Sequence, residues 1–229
     1  MERAQLVAWN NAEWCAAVWQ VHDLGKEEAD GSWFTRKATP SLYPNMVTVE
    51  CFGKQDRQIS IAISLSMQLT KVAVKDSFSV LPLHCHGYNE LFTAQWLWAD
   101  LDIFARGGIC PSCRMVVGKG DMLEWIAAWE EAGGESANLL PAVLTNPQVE
   151  VWGRYGKSGQ LEGGLIAFRS PRVVGITNEF GSNEGLLEAV AAEGGQPICC
   201  YQRGERLARA IQRGFEVVGP LTVWLLDRS

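Results

Sequence analysis

The chain has no surplus of basic residues: 20 Lys and Arg stand against 26 Asp and Glu in 229 residues, a formal charge of -6. General binding to nucleic acid is therefore not expected, because displacing counterions from phosphates takes an excess of Lys and Arg. Nor is there a run of Lys and Arg long enough to act as a basic arm. No apolar run approaches the length needed to cross a bilayer, so no membrane partner is expected. The opening residues, Met1 to Asn10, hold no basic leader followed by an apolar stretch, and no secretory signal is expected. Cysteine is present but scattered and odd in number, seven in all. Cys15, Cys51, Cys199 and Cys200 sit in apolar runs, where cysteine usually serves as a small core residue in a reducing compartment. The expected location is cytoplasmic.

What is present is a large apolar fraction, 47%, enough for one big core or two small ones. The order of elements repeats. Glu13-Trp-Cys-Ala-Ala-Val-Trp19 matches the Ala-rich helical stretch that opens at Glu124-Trp125, with start signals at Asn11 and Asp121. A strand at 46–50, a helix at about 54–69 and a strand at 71–75 match a strand at 172–177, a helix at about 183–193 and a strand at 197–201. Gly87-Tyr88 leads to a strand carrying Trp96, and Gly214-Phe215 leads to one carrying Trp224. The second series carries an extra β-hairpin, 149–155 and 165–168, around turn signals at 157–160 and 163–164. The expected organisation is a first unit over 1–106, a linker over 107–119 near the Gly- and Pro-rich stretch 106–113, and a more complete second unit over 120–229.

In this pattern the second unit resembles the GNAT superfamily of N-acetyltransferases over about residues 120–226, and the first unit resembles it more weakly over 10–98. The resemblance implies an α/β fold of two GNAT-like units, with mixed, mostly antiparallel sheets and flanking helices. In that family a hairpin leads to a long strand that splays from its neighbour and admits the pantetheine arm of acetyl-CoA. A Gly-containing turn then opens a helix whose free N–H groups meet the pyrophosphate, as helix starts do with anions generally. The matching stretch here is Asn178-Glu-Phe-Gly181-Ser-Asn183, followed by Leu186-Leu187. The resemblance thus assigns Ile176, Thr177, Asn178, Gly181, Ser182 and Asn183 to cofactor binding. The run Arg206 to Arg213, then Gly214-Phe215 and the strand 221–226, matches the family's closing helix and strand.

Glu179 follows the long strand and Tyr201 ends the next, so both are candidates for proton handling beside the opened cleft. The acceptor implied is a small-molecule or peptide amine. Many active members carry a Tyr four residues before the glycine that ends the helix, and Ala210 stands there in this chain. Two functions follow: an acetyl-CoA-dependent N-acetyltransferase, or a non-catalytic module that binds an acyl-CoA or a partner. Asp76 and Ser77 hold the equivalent place in the first unit, as pocket residues or as a turn. Cys110-Pro-Ser-Cys113 reads as a loop with reduced thiols, as a redox dithiol, or as half of a zinc site completed by His84 and His86. No metal is expected. Trp14, Trp19, Trp125 and Trp129 stand at helical spacing and are read as core.

Overall fold

The computed structural model describes residues 2–104, 110–135 and 139–228. Among the described residues five α-helices flank a single sheet of eleven strands. The chain runs α1 (Arg3–Val21), β1 (Glu27–Ala29), β2 (Ser32–Phe34), β3 (Met46–Thr48), α2 (Gln55–Gln68), β4 (Lys71–Asp76) and β5 (Asn89–Ala99). It continues through β6 (Cys113–Met115), α3 (Lys119–Glu131), β7 (Val149–Tyr155), β8 (Leu161–Arg169), β9 (Val174–Gly181), α4 (Leu186–Gly194), β10 (Ile198–Gln202), α5 (Gly204–Arg213) and β11 (Glu216–Asp227). All strand pairs are antiparallel except β3 with β4 and β9 with β10. The mixed, mostly antiparallel α/β architecture is the one expected, but its strands form one sheet rather than two.

The order in that sheet is β1-β2-β3-β4-β11-β5-β10-β9-β8-β7-β6. Apart from the edge strand β6, the series β1-β2-β3-β4-β11 from one end matches β7-β8-β9-β10-β5 from the other. β11 pairs with β4 from Thr222–Asp76 to Asp227–Lys71 and with β5 on its other side, so it stands among strands of the first half. Segments 1–106 and 120–229 therefore share their central strands. Gly87 and Gly214 both take left-handed backbone, φ 83° and 106°, just ahead of β5 and β11.

Three details depart from the sequence reading. Asn11 lies inside α1, which begins at Arg3, because the apolar positions Val7 and Ala8 already bury one face a turn earlier. The first half also has a hairpin, β1–β2, turned by Asp30 and Gly31 at φ 48° and 69°. Two adjacent residues at positive φ make the tight turn that matches strand twist, and Asp-Gly is a strong signal for it. Within the expected linker, whose residues 107–109 lie outside the described residues, Cys113–Met115 forms strand β6 on the edge of β7.

The core lies on both faces of the sheet. Under α1 and α3 it holds Trp14, Trp19, Trp125 and Trp129, as their spacing implied. On the other face α4 packs Leu186, Leu187 and Val190 against β8, β9 and β10. Asn10 is one of several polar residues buried with that core, only 3% exposed. Its Nδ2 donates to Phe168 O at 2.9 Å and Ser170 Oγ at 2.8 Å, which satisfies the buried amide and pins α1 to the sheet. Gly175 makes the room, since a Cβ there would stand 1.8 Å from Asn10 Oδ1. No helix among the described residues is long and apolar enough to cross a membrane.

Candidate functional site

β9 and β10 run parallel but pair only at Val174–Ile198 and Gly175–Cys199. Beyond those pairs β9 stays with β8, as far as Gly181–Gly163, while β10 stays with β5, as far as Gln202–Gln95. The two strands therefore fork. A cleft of about 240 Å³ opens there, floored by Ile176, Leu187, Cys200 and Phe215 and walled by α5.

A bulge shapes the upper prong. Between the pairs Gly164–Phe180 and Ile166–Thr177, one residue of β8 faces two of β9, Asn178 and Glu179. Asn178 takes φ 52°, a left-handed value that Asn tolerates. An inserted residue leaves ladder groups unpaired and reverses the alternation of side chains beyond it. Without it Glu179 would point at α1; with it Glu179 points into the cleft. There its carboxylate accepts from Gln202 Nε2 at 2.7 Å and Asn183 Nδ2 at 3.1 Å.

Charge on the opposite wall has the other sign. Arg206, Arg209 and Arg213 stand three and four residues apart on α5 and all line the cleft. Arg213 pairs with Glu188 at 2.5 Å and Arg209 with Glu205 at 3.1 Å. Arg206 has no ion-pair or hydrogen-bond partner among the described residues.

Comparison with known proteins decides the fold. No family model matches the chain, and no curated protein matches it in sequence. Solved structures do match. A GCN5-related N-acetyltransferase from Kribbella flavida superposes with a TM-score of 0.64 at 12% identity, covering 100% of this chain and 97% of that one. The chain has the GNAT fold. A second GCN5-related N-acetyltransferase, from Sphaerobacter thermophilus, gives 0.54 at 11% identity over 96% of this chain and 92% of its own. Saccharomyces cerevisiae N-myristoyltransferase with bound myristoyl-CoA gives 0.53 at 8% identity. That match covers 79% of this chain but only 57% of the yeast enzyme.

Within the GNAT fold the residues read from sequence divide between the two faces of the sheet. Ile176, Glu179, Gly181 and Asn183 line the cleft. Thr177 and Tyr201 face α1, in a crevice shared with Asn10, Asn11 and Trp14. Tyr201 packs edge-on to Trp96, with Lys75 Nζ over its ring at 4.7 Å. Glu179 and Tyr201, read as one pair of candidates, thus stand on opposite sides. Ser182 is exposed, and its N–H is committed to Glu162 O at 2.9 Å. Gly181, at φ 60°, is required by the sheet itself, for a Cβ there would stand 2.2 Å from Glu162 O. The Ser182 N–H is thus held in the sheet and is not free to meet a phosphate.

Asp76 and Ser77 form a turn. The Asp76 carboxylate accepts from the N–H groups of Leu81 at 2.7 Å and Phe78 at 3.2 Å, and burial still holds its pKa above the ordinary range. His84 packs near Trp224 on β11, six strands away in the sheet from Cys113 on β6, so the zinc set does not assemble. Among the described residues no group of three or more His, Cys, Asp and Glu could hold a metal ion.

Three site features escaped the sequence reading. Arg206 was legible from its spacing to Arg209 and Arg213. Tyr43 was not: it comes from the loop before β3 and is 6% exposed. Burial pushes its pKa upward, against the nearby Asn178 amide. Lys75 is 6% exposed, with Nζ 3.0 Å from Asn11 Oδ1.

Proposed function

We propose that the chain is a GNAT-superfamily acyltransferase that uses an acyl-CoA, acetyl-CoA first among candidates, to acylate a small-molecule or peptide amine in the cytoplasm. The observation that carries this reading is the forked pair β9–β10 with its bulge at Asn178, opposite the three arginines of α5. The parts match the chemistry of the donor. A narrow, partly apolar fork suits a pantetheine arm, and Arg206, Arg209 and Arg213 suit its phosphates. Bound there, an acyl-CoA supplies an activated acyl group.

The chain's own residues do the rest. The bulge leaves backbone donors on β9 free to polarise a carbonyl at the fork. Glu179, fixed by Gln202 and Asn183, is placed to accept a proton from an amine, directly or through water. Tyr201 lines the α1 side, across the sheet from Glu179, and takes no part in that proton transfer. The palindromic strand order supports reading 1–106 and 120–229 as two GNAT-like units that have exchanged their last strands.

One observation favours a second reading, a non-catalytic acyl-CoA-binding or interaction module: Ala210 lines the cleft where many active members present a tyrosine hydroxyl. Calorimetric titration separates the readings together with an assay for free thiol release. Acetyl-CoA should bind wild type, and Arg206→Glu should weaken it about tenfold, or about 1.4 kcal/mol. Thiol release with an amine panel marks the enzyme. Binding without release marks the module. No binding of acetyl-CoA or a longer acyl-CoA at millimolar ligand removes the enzyme and leaves the interaction module.

A further inference from the structure

The Cys110–Cys113 pair leads into strand β6 and opens no helix of its own. In the fold it meets one from the side. Cys113 N–H donates to Cys110 O at 2.9 Å, closing a tight turn ahead of β6. That turn packs on the first residues of α4. Cys113 Sγ donates to Glu184 O at 3.6 Å, and Arg154 Nη1 donates to the same carbonyl at 2.7 Å. Gly185 is the N-cap of α4, at φ 81°, and no side chain caps that helix start. The Cβ position that Gly185 leaves empty lies 3.1 Å from Cys110 Sγ and 3.4 Å from Cys113 Sγ. Both sulfurs therefore bracket one point at the positive end of a nine-residue helix, and any side chain at 185 would strike them.

We propose that Cys110 and Cys113 form a redox-active dithiol that exchanges with small disulfides and closes to an intramolecular disulfide against the start of α4. The two thiols are unequal, as such chemistry needs. The backbone N–H of Ser112, the Cys113 thiol and the Arg154 charge hold Cys110 below the ordinary thiol range. Burial, then the neighbouring Cys110, push Cys113 up to about 12. Cys110 is the attacking thiolate and Cys113 the resolving thiol. Cys110 attacks one sulfur of a small disulfide R–S–S–R, forms the mixed disulfide and releases R–S⁻. Cys113 then gives its proton to solvent and attacks the Cys110 sulfur, releasing the second R–S⁻. Two protein thiols are oxidised and one disulfide is reduced to two thiols. The other cysteines differ: Cys15, Cys199 and Cys200 are buried, and Cys51 and Cys85 stand apart on other elements.

The test uses the full chain and glutathione disulfide at neutral pH, quenched by alkylation and mapped by peptide mass spectrometry. The expected result is loss of two alkylatable thiols, with Cys110 linked to Cys113. In Cys113→Ser a single glutathionyl group should stay on Cys110, and in Cys110→Ser none should form on Cys113. Circular dichroism of both variants confirms that they fold. Glutathionylation confined to the exposed Cys85 overturns the proposal. So does equal reactivity of Cys110 and Cys113 in the two single variants.

Discussion

Gln202 reaches across the fork to Glu179, its Nε2 donating to Oε2 at 2.7 Å. The bond joins the two strands beyond the point where their ladder ends, so it spans the entrance a pantetheine arm would use. It also sets a carboxylate inside a cleft whose other charged lining residues are the arginines of α5.

Opening that bridge is the first prediction. Glu179→Ala removes both the bond and the negative charge, and acetyl-CoA should bind about fivefold tighter, roughly 1 kcal/mol. Gln202→Ala removes the bond alone and should give part of that gain. If Glu179 also takes the acceptor's proton, turnover in Glu179→Ala falls while affinity rises. Titration calorimetry and steady-state kinetics read the two effects separately. Weaker binding in both variants would show that the bridge organises the cleft instead of obstructing it.

A second prediction concerns the base of the fork. Gly175 is the last β9 residue paired to β10, and Asn10 occupies the space its side chain would take. Gly175→Ala should destabilise the fold by about 2–4 kcal/mol, as overpacking and a displaced buried amide together do. In an Asn10→Ala background the added cost of Gly175→Ala should shrink, because the clash is gone. Urea denaturation of the four forms closes the cycle. Additive losses would mean that the two residues do not meet as described.

A third prediction is a pH dependence. Tyr88 is 2% exposed and its hydroxyl donates to Ala62 O at 2.8 Å. Burial, eased by Ser66 and Arg228, pushes its pKa up to about 12. An unfolded tyrosine ionises near 10, so the unfolded state loses its proton first as pH rises. Stability is full below about 10 and declines as pH climbs toward 12. Tyr43, also raised by burial, acts in the same direction. Tyr88→Phe should cost about 1 kcal/mol at pH 8 through the lost hydrogen bond and flatten the alkaline decline. Denaturation midpoints from pH 8 to 11 check it.

Most of the scaffold was legible. The strand Pro197 to Tyr201, the helix ending at Gly214 and the long strand before Gly181 are fixed by local patterns: apolar runs, a left-handed glycine cap and turn residues. The Asp30-Gly31 turn was equally local and was overlooked. What local pattern cannot carry is a change of face. The bulge at Asn178 and Glu179 exists because β8 and β9 differ in length between two fixed pairs, and it alone sends Glu179 away from Tyr201. Tyr43 and Cys110 reach their neighbours from loops, and nothing in their own sequence surroundings names Asn178 or Gly185 as partners.

The place of β11 carries a consequence for synthesis. β4 and β5 are joined by the short stretch 77–88, yet they never touch as strands, because β11 lies between them. A ribosome delivers both long before it delivers residues 216–227. Through that interval β4 and β5 present two unpaired edges that could pair with each other and shut the slot. Such edges also invite strands from other chains. Half-made chains should therefore draw on chaperones that hold the two edges apart.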